Sequence, residues 1–215
     1  MQIELRNLIP VPLKEKFIQR GSEVWNTTVI FPPGTYIKIK APSGTGKTTL
    51  VHSLYKLRTD YTGQIFWDQN DLKLILGETL ASMRQQVVSI IFQDLRLFPN
   101  LTARENIELK RVLQKPLYDS NVIDEMAEML GIKGILEQPA GMCSYGEQQR
   151  IAIIRAVIQP FQWLVMDEPF SHLDQNNIKK AAALIDSECR KRKAGFILTD
   201  LDEDEHFKYS EILNL

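Results

Sequence analysis

The chain has 215 residues, of which 44% are hydrophobic and 25% charged, with a formal net charge of −1. That balance leaves no basic footprint for nucleic acid, and no stretch approaches the roughly 18 consecutive apolar residues that a membrane-crossing helix needs. Two cysteines, Cys143 and Cys189, give neither a disulfide framework nor a metal cluster and fit a reducing cytosol; three scattered histidines support no His-based metal centre, and Met1-Gln2-Ile3-Glu4 lacks a signal-peptide pattern.

In chain order, the apolar pattern predicts strands over residues 2–8 and 24–31, a turn at Pro32-Pro33-Gly34, and a strand over Tyr36-Ile37-Lys38-Ile39-Lys40. A glycine-rich loop, Ala41-Pro42-Ser43-Gly44-Thr45-Gly46-Lys47-Thr48-Thr49, follows and opens a helix carrying Leu50, Val51, Leu54 and Leu57. Its glycines lack the Cβ that would block a close or positive-φ approach of backbone N–H groups to a polyphosphate. Lys47 adds a point charge for the β- and γ-phosphates, the Thr48 hydroxyl suits Mg²⁺, and the helix dipole points its positive end at the same anion. A strand-to-helix turn can be glycine-rich without any ligand, but the flanking strand and helix favour the phosphate loop.

Residues 61–67 read as a further strand, and Ile90-Ile91-Phe92-Gln93-Asp94 as an apolar strand giving way to Leu95–Asn100. Thr102-Ala103-Arg104-Glu105 is a capping box, so a helix starts there, and the segment from about 101 to 160 is mostly helical with breaks at Pro116, near Gly131 and Gly134, and at Pro139. Ser144-Tyr145-Gly146-Glu147 is a second capping box, whose helix offers another anion-binding N-terminus. Spacing turns Ile151, Ile154, Val157 and Ile158 inward and leaves Gln148, Gln149 and Arg155 facing out. Capping boxes also open many helices that bind nothing.

The apolar run Trp163-Leu164-Val165-Met166 reads as a buried parallel strand that delivers Asp167 and Glu168 to the ligand edge of an α/β sheet. Asp167 would hold Mg²⁺ and Glu168 would orient or deprotonate an attacking water. A helix over 178–192 with Ala181, Leu184 and Ile185 inward, and a strand over 196–199, complete the alternation. The acidic run 200–205 reads as a solvated loop or helix start.

The ordered set of phosphate loop, Gln93, Ser144-Tyr145-Gly146-Glu147-Gln148-Gln149-Arg150 and Leu164-Val165-Met166-Asp167-Glu168-Pro169 resembles the nucleotide-binding subunit of an ATP-binding cassette (ABC) transporter over nearly the whole chain. The Gly146–Arg150 wording is similar to the branch that serves lipoprotein release, macrolide-type export and cell division. The resemblance implies an α/β P-loop NTPase (RecA-like) core, residues 1–92 and 161–215, with a small N-terminal β subdomain and a helical subdomain inserted over 93–160. It also implies ATP and Mg²⁺ as ligands, with Gln93 reaching the metal and the water. Ser144, Gly146 and Glu147 would meet the nucleotide held by a second subunit in a homodimer or paired assembly, and Asp174, in Ser171-His172-Leu173-Asp174, would lie in the loop that crosses that interface. An integral membrane subunit would be the partner, at the inner face of the cell membrane, with no nucleic acid. Phe17, or Trp25, stands where an aromatic residue stacks on adenine, although core packing suits either. Four positions depart from the family pattern: Ala41 and Tyr145 replace glycines, Cys143 a leucine, and Asp200 a histidine that contacts the γ-phosphate. An ionised Asp200 cannot donate a hydrogen bond there, which implies slow hydrolysis and leaves a hydrolysis-impaired regulatory module as an alternative. A soluble ABC protein acting on nucleic acid or ribosomes is disfavoured by a single cassette without a basic patch.

Overall fold

Two sheets form from two different sequence patterns. The computed structural model describes residues 1–13, 21–201 and 204–215. The first sheet is antiparallel, in the order β2-β1-β4-β5, from β1 (Ile3–Pro10), β2 (Thr28–Phe31), β4 (Tyr61–Trp67) and β5 (Asn70–Asp71). Its strands alternate buried and exposed positions, as a sheet with one wet face requires. The second is parallel, in the order β6-β7-β8-β3-β9, from β3 (Tyr36–Lys40), β6 (Val88–Ile91), β7 (Trp163–Asp167), β8 (Gly195–Asp200) and β9 (Glu211–Asn214). Every residue of β6 and β7 is buried, because helices cover both faces.

Helices α1 (Lys47–Leu54) and α2 (Gly77–Gln86) pack with the parallel sheet, α1 against β7 and β8 and α2 against β6. Between β6 and β7 the chain is helical: α3 (Ala103–Val112), α4 (Asn121–Met129), short 3₁₀ turns at Lys133–Ile135 and Ala140–Met142, then α5 (Tyr145–Val157). The last helix, α6 (Gln175–Arg192), joins β7 to β8. One apolar cluster fills the space between the α3–α6 side and the sheet through Leu164, Met166, Phe196 and Leu198. A second joins the antiparallel sheet, α1 and the opposite face through Ile37, Ile39, Val165 and Ile197. Among the described residues no helix is long and apolar enough to cross a membrane.

Several sequence expectations are corrected. The strand placed over 24–31 is only Thr28–Phe31, because the Ser22 hydroxyl accepts from Val24 and Trp25 N–H at 3.1 and 2.9 Å and Asn26 takes φ 56°. Leu57 lies beyond α1, which stops at Leu54 before Lys56 enters positive φ. Gln149 and Arg155, expected to face out, point into the protein. Gln149 is 1% exposed, and the Arg155 guanidinium donates to the carbonyls of Leu95 and Arg96. The acidic run is not uniformly solvated, since Asp200 is half-buried and Asp204 is ion-paired with the fully buried Lys38.

Candidate functional site

The C-terminal ends of β3, β6 and β7 lie on one edge of the parallel sheet, with β8 between β7 and β3, and the loops that leave them converge. The loop after β3 runs Ala41–Gly46 into α1, and Gly44 and Gly46 take φ 77° and 103°, where a side chain would be strained. Ala41 stays out of positive φ, so its methyl group costs the loop nothing; it is buried, and its N–H donates to the Asp200 carbonyl at 3.1 Å. Thr45 Oγ1 closes the loop on the Pro42 carbonyl at 2.7 Å.

A cavity of about 250 Å³ opens here, lined by Leu13, Ser43, Gly44, Gly46, Lys47, Thr48, Thr49, Gln93 and Glu168. A larger concavity, about 740 Å³, lies on the outer face of the antiparallel sheet around Gln2, Glu4, Arg6 and Phe66. There the one cation among the described residues, Arg6, is already paired with Glu4 at 2.6 Å. The chemistry belongs to the smaller one.

Lys47, 5% exposed, donates to the Ala41 carbonyl at 2.8 Å and pairs with Glu168 Oε1 at 3.2 Å. Gln93 Nε2 donates to Glu168 Oε2 at 3.1 Å, and Thr48 Oγ1 donates to Gln93 Oε1 at 3.2 Å. Loops from three strands therefore close into one polar chain, Lys47–Glu168–Gln93–Thr48. Glu168 adopts φ 47°, a conformation costing a non-glycine residue about 1–2 kcal/mol. Its N–H bond to the Thr199 carbonyl at 2.9 Å and the two side-chain contacts hold it there.

Asp167 is buried behind this chain. Its Oδ1 accepts from Thr199 Oγ1 at 2.9 Å, while Oδ2 has no hydrogen-bond partner among the described residues. Burial pushes the carboxyl above its usual range, against the lowering effect of the Thr48 and Thr199 hydroxyls beside it. A buried, unpaired carboxylate oxygen beside a threonine hydroxyl and a glutamine oxygen is an all-oxygen donor set of the kind Mg²⁺ takes. No group of three or more His, Cys, Asp and Glu side chains suited to another metal occurs among the described residues.

The second capping box forms as read. Ser144 Oγ accepts from Glu147 N–H at 3.4 Å, and Glu147 Oε2 accepts from Ser144 N–H at 2.7 Å. Bonds from the Ser144 side chain and backbone hold the Glu147 carboxyl below its usual range. Ser144, Gly146 and Glu147 line no part of the P-loop cavity, and neither does Asp174, which caps α6 by accepting from Asn177 N–H at 2.9 Å. Tyr145 links the two regions: its hydroxyl donates to the Gln93 carbonyl at 3.3 Å and its ring meets His172 edge-on at 4.2 Å. Gly146 leaves little room beneath, since a Cβ there would sit 3.1 Å from the His172 carbonyl.

Three contributors escaped sequence reading. Leu13 walls the cavity without any local motif. Buried Gln149 donates to the Glu168 carbonyl at 3.4 Å and accepts from His172 N–H at 3.1 Å, tying α5 to the segment after β7. Lys38 anchors the segment after β8 through Asp204. Trp25 is 2% exposed within the core and is not available to stack on a base, while Phe17 lies outside the described residues.

The profile of the family described as ABC transporter matches residues 24–171. The chain is 32% identical over 201 residues to the aliphatic sulfonates import ATP-binding protein SsuB of Bacillus subtilis (strain 168), covering 92% of this chain and 75% of that protein. It is 30% identical over 181 residues to the lipoprotein-releasing system ATP-binding protein LolD 2 of Chlorobaculum tepidum, covering 80% and 72%. The fold is similar to that of the ATP-binding cassette MJ0796 in a dimeric post-hydrolysis state bound to ADP and Pi, with a TM-score of 0.79 at 22% identity over 93% of this chain and 88% of that one.

Proposed function

The chain belongs to the ABC transporter family, whose ATP-binding subunits are ATPases, and from that premise we propose that it binds and hydrolyses MgATP in a face-to-face dimer to drive a separate integral membrane subunit. The observation that carries this reading is the convergence of Lys47, Glu168, Gln93 and Thr48 on one glycine-rich cavity.

Without nucleotide the site is internally neutralised, since Lys47 is shared between the Ala41 carbonyl and Glu168. A triphosphate entering the loop takes Lys47 for its own oxygens and releases Glu168. The freed carboxylate, still positioned by Gln93, then orients a water and accepts its proton as the γ-phosphoryl group transfers. Thr48, Gln93 and Asp167 would hold Mg²⁺, which when bound offsets phosphate charge. Ser43 and Thr49 complete the cradle with backbone and hydroxyl donors, while Thr45 holds the loop closed on the Pro42 carbonyl.

The α5 N-terminus, with Ser144, Gly146 and Glu147, lies outside the lining of its own cavity, which suits a contact with nucleotide held by a second subunit, with Asp174 at the same interface. Residues 93–160 are read as the helical subdomain and 1–92 with 161–215 as the RecA-like core. That helical block exposes Phe98, Leu109, Val112, Leu113 and Leu117, an apolar surface suited to a membrane subunit at the inner face of the membrane. Calorimetry of Lys47→Ala with MgATP tests the reading; most of the binding is expected to vanish, and an unchanged affinity would overturn it.

A further inference from the structure

Lys38 lies mid-strand in β3, fully buried, three residues before the phosphate loop, and the mechanism above does not use it. Its ammonium is ion-paired with Asp204 on the segment that leaves β8. Asp204 Oδ1 also accepts from Tyr209 Oη at 2.7 Å and from His206 N–H at 3.0 Å, and the ammonium sits 5.5 Å from the centre of the Tyr209 ring. Burial alone would raise the Asp204 carboxyl, but the bonds from Lys38 and Tyr209 outweigh it and hold it low.

A buried ion pair is a poor device for stability, because desolvation consumes its attraction and apolar side chains of similar size serve as well. What the pair does provide is position. Asp200, where the segment begins, stands near Glu168, and its carbonyl takes the N–H of Ala41, the first residue of the phosphate loop. Lys38, like Lys47, is a buried cation at the sheet edge that gathers Asp167, Glu168, Asp200 and Asp204. Asp200 ends β8 opposite Lys40 of β3, two residues beyond Lys38, so the Lys38–Asp204 pair sets both carboxylates against the same stretch of β3, next to the phosphate loop.

We propose that Lys38 is a positioning residue for hydrolysis, which through Asp204 holds Asp200 in place beside Glu168 and Ala41 and so keeps its charge from swinging toward the transferring phosphoryl group. The proposal rests on the reading of the cavity as the site of ATP hydrolysis. The test is steady-state phosphate release by wild type, Lys38→Met, Asp204→Asn and Tyr209→Phe, with ATP affinity by calorimetry and Tm measured on each. Lys38→Met and Asp204→Asn are expected to lower kcat by about tenfold with KM and affinity little changed. Tyr209→Phe, which removes one hydrogen bond to Asp204 and keeps the ring, should give a smaller loss. In an Asp200→Ala background Lys38→Met should cost nothing further. Unchanged kcat in the folded variants, or an equal loss in the Asp200→Ala background, would overturn the proposal while leaving the ATPase reading in place. If Lys38→Met does not fold, Asp204→Asn and Tyr209→Phe decide by the same criterion. Absence of any Glu168-dependent hydrolysis by wild type would overturn the reading of the cavity and the proposal with it.

Discussion

Replacing Glu168 with Gln separates the two roles proposed for its carboxylate. Hydrolysis loses its base, and the rate is expected to fall about 10²–10⁴-fold. Binding should move the other way, because a triphosphate entering wild type must part Lys47 from Glu168. At their 3.2 Å separation the pair is worth about 5 kcal/mol gross at an effective dielectric near 20. Most of this returns as Lys47 meets phosphate, and the glutamine amide keeps a weaker bond. A net advantage of ~1 kcal/mol for the variant is left, about fivefold in Kd. Calorimetry of both proteins with a non-hydrolysable MgATP analogue measures it, beside phosphate release with MgATP. Equal or weaker binding by Glu168→Gln would refute the claim that Glu168 competes with phosphate for Lys47, and undiminished turnover would remove it as the base.

Asp200→His is expected to speed turnover about tenfold or more, since one charge-assisted hydrogen bond to the transferring group is worth roughly 1.5–3 kcal/mol; slower phosphate release in the variant would show that Asp200 does not face the γ-phosphate. Asp167→Asn should abolish Mg²⁺-dependent binding yet raise Tm at neutral pH by about 2–4 °C, the shift that ~1 kcal/mol gives a chain this long. The sign follows from burial, which raises the folded-state pKa of Asp167: its stabilising contribution is complete at low pH and lost as pH rises through that pKa, so the gap between variant and wild type should close on acidification. In the Glu168→Gln background, saturating MgATP should convert monomer to dimer by light scattering, and replacing Ser144 with Arg should prevent it; dimerisation untouched by that change would remove the α5 N-terminus from the interface.

The parts of the site that could be read from the sequence are those whose chemistry is local. The phosphate loop, both capping boxes and the Asp167-Glu168 strand end each fit within a few residues, and each forms as its residues dictate. Gln149 was misplaced because one apolar stripe was assumed for α5. Ile151-Ala152-Ile153-Ile154 is apolar all round, the mark of a helix covered on more than one side, and that was the available signal. Lys38 and Lys40 alternate with isoleucines as on a half-wet strand, but β3 lies between β8 and β9 with both faces covered, so a partner had to come from far along the chain. Helix α2 buries none of its residues and β9 spans four, too little periodicity to register in sequence.

The departures from the family pattern look in sequence like independent losses, and the structure connects all but Cys143. The N–H of Ala41 is taken by the carbonyl of Asp200, whose own carboxylate accepts from Leu201 N–H at 2.7 Å. Tyr145 spends its hydroxyl on the Gln93 carbonyl and its ring on His172, whose N–H is held by Gln149. Gln149 in turn reaches the carbonyl of Glu168, which Gln93 meets from the other side. Ala41, Asp200 and Tyr145 thus lie on two chains of contacts that both reach Glu168, one through the phosphate loop and Lys47, the other through α5, while Cys143, whose thiol donates to the Pro139 carbonyl at 3.6 Å, stands apart. Groups joined in one network do not contribute additively. Returning Tyr145 to glycine therefore removes contacts that Gln93 and His172 use, whereas Ala41→Gly keeps the backbone bond to Asp200, so the effect of each reversal on turnover is set by the contacts its side chain makes.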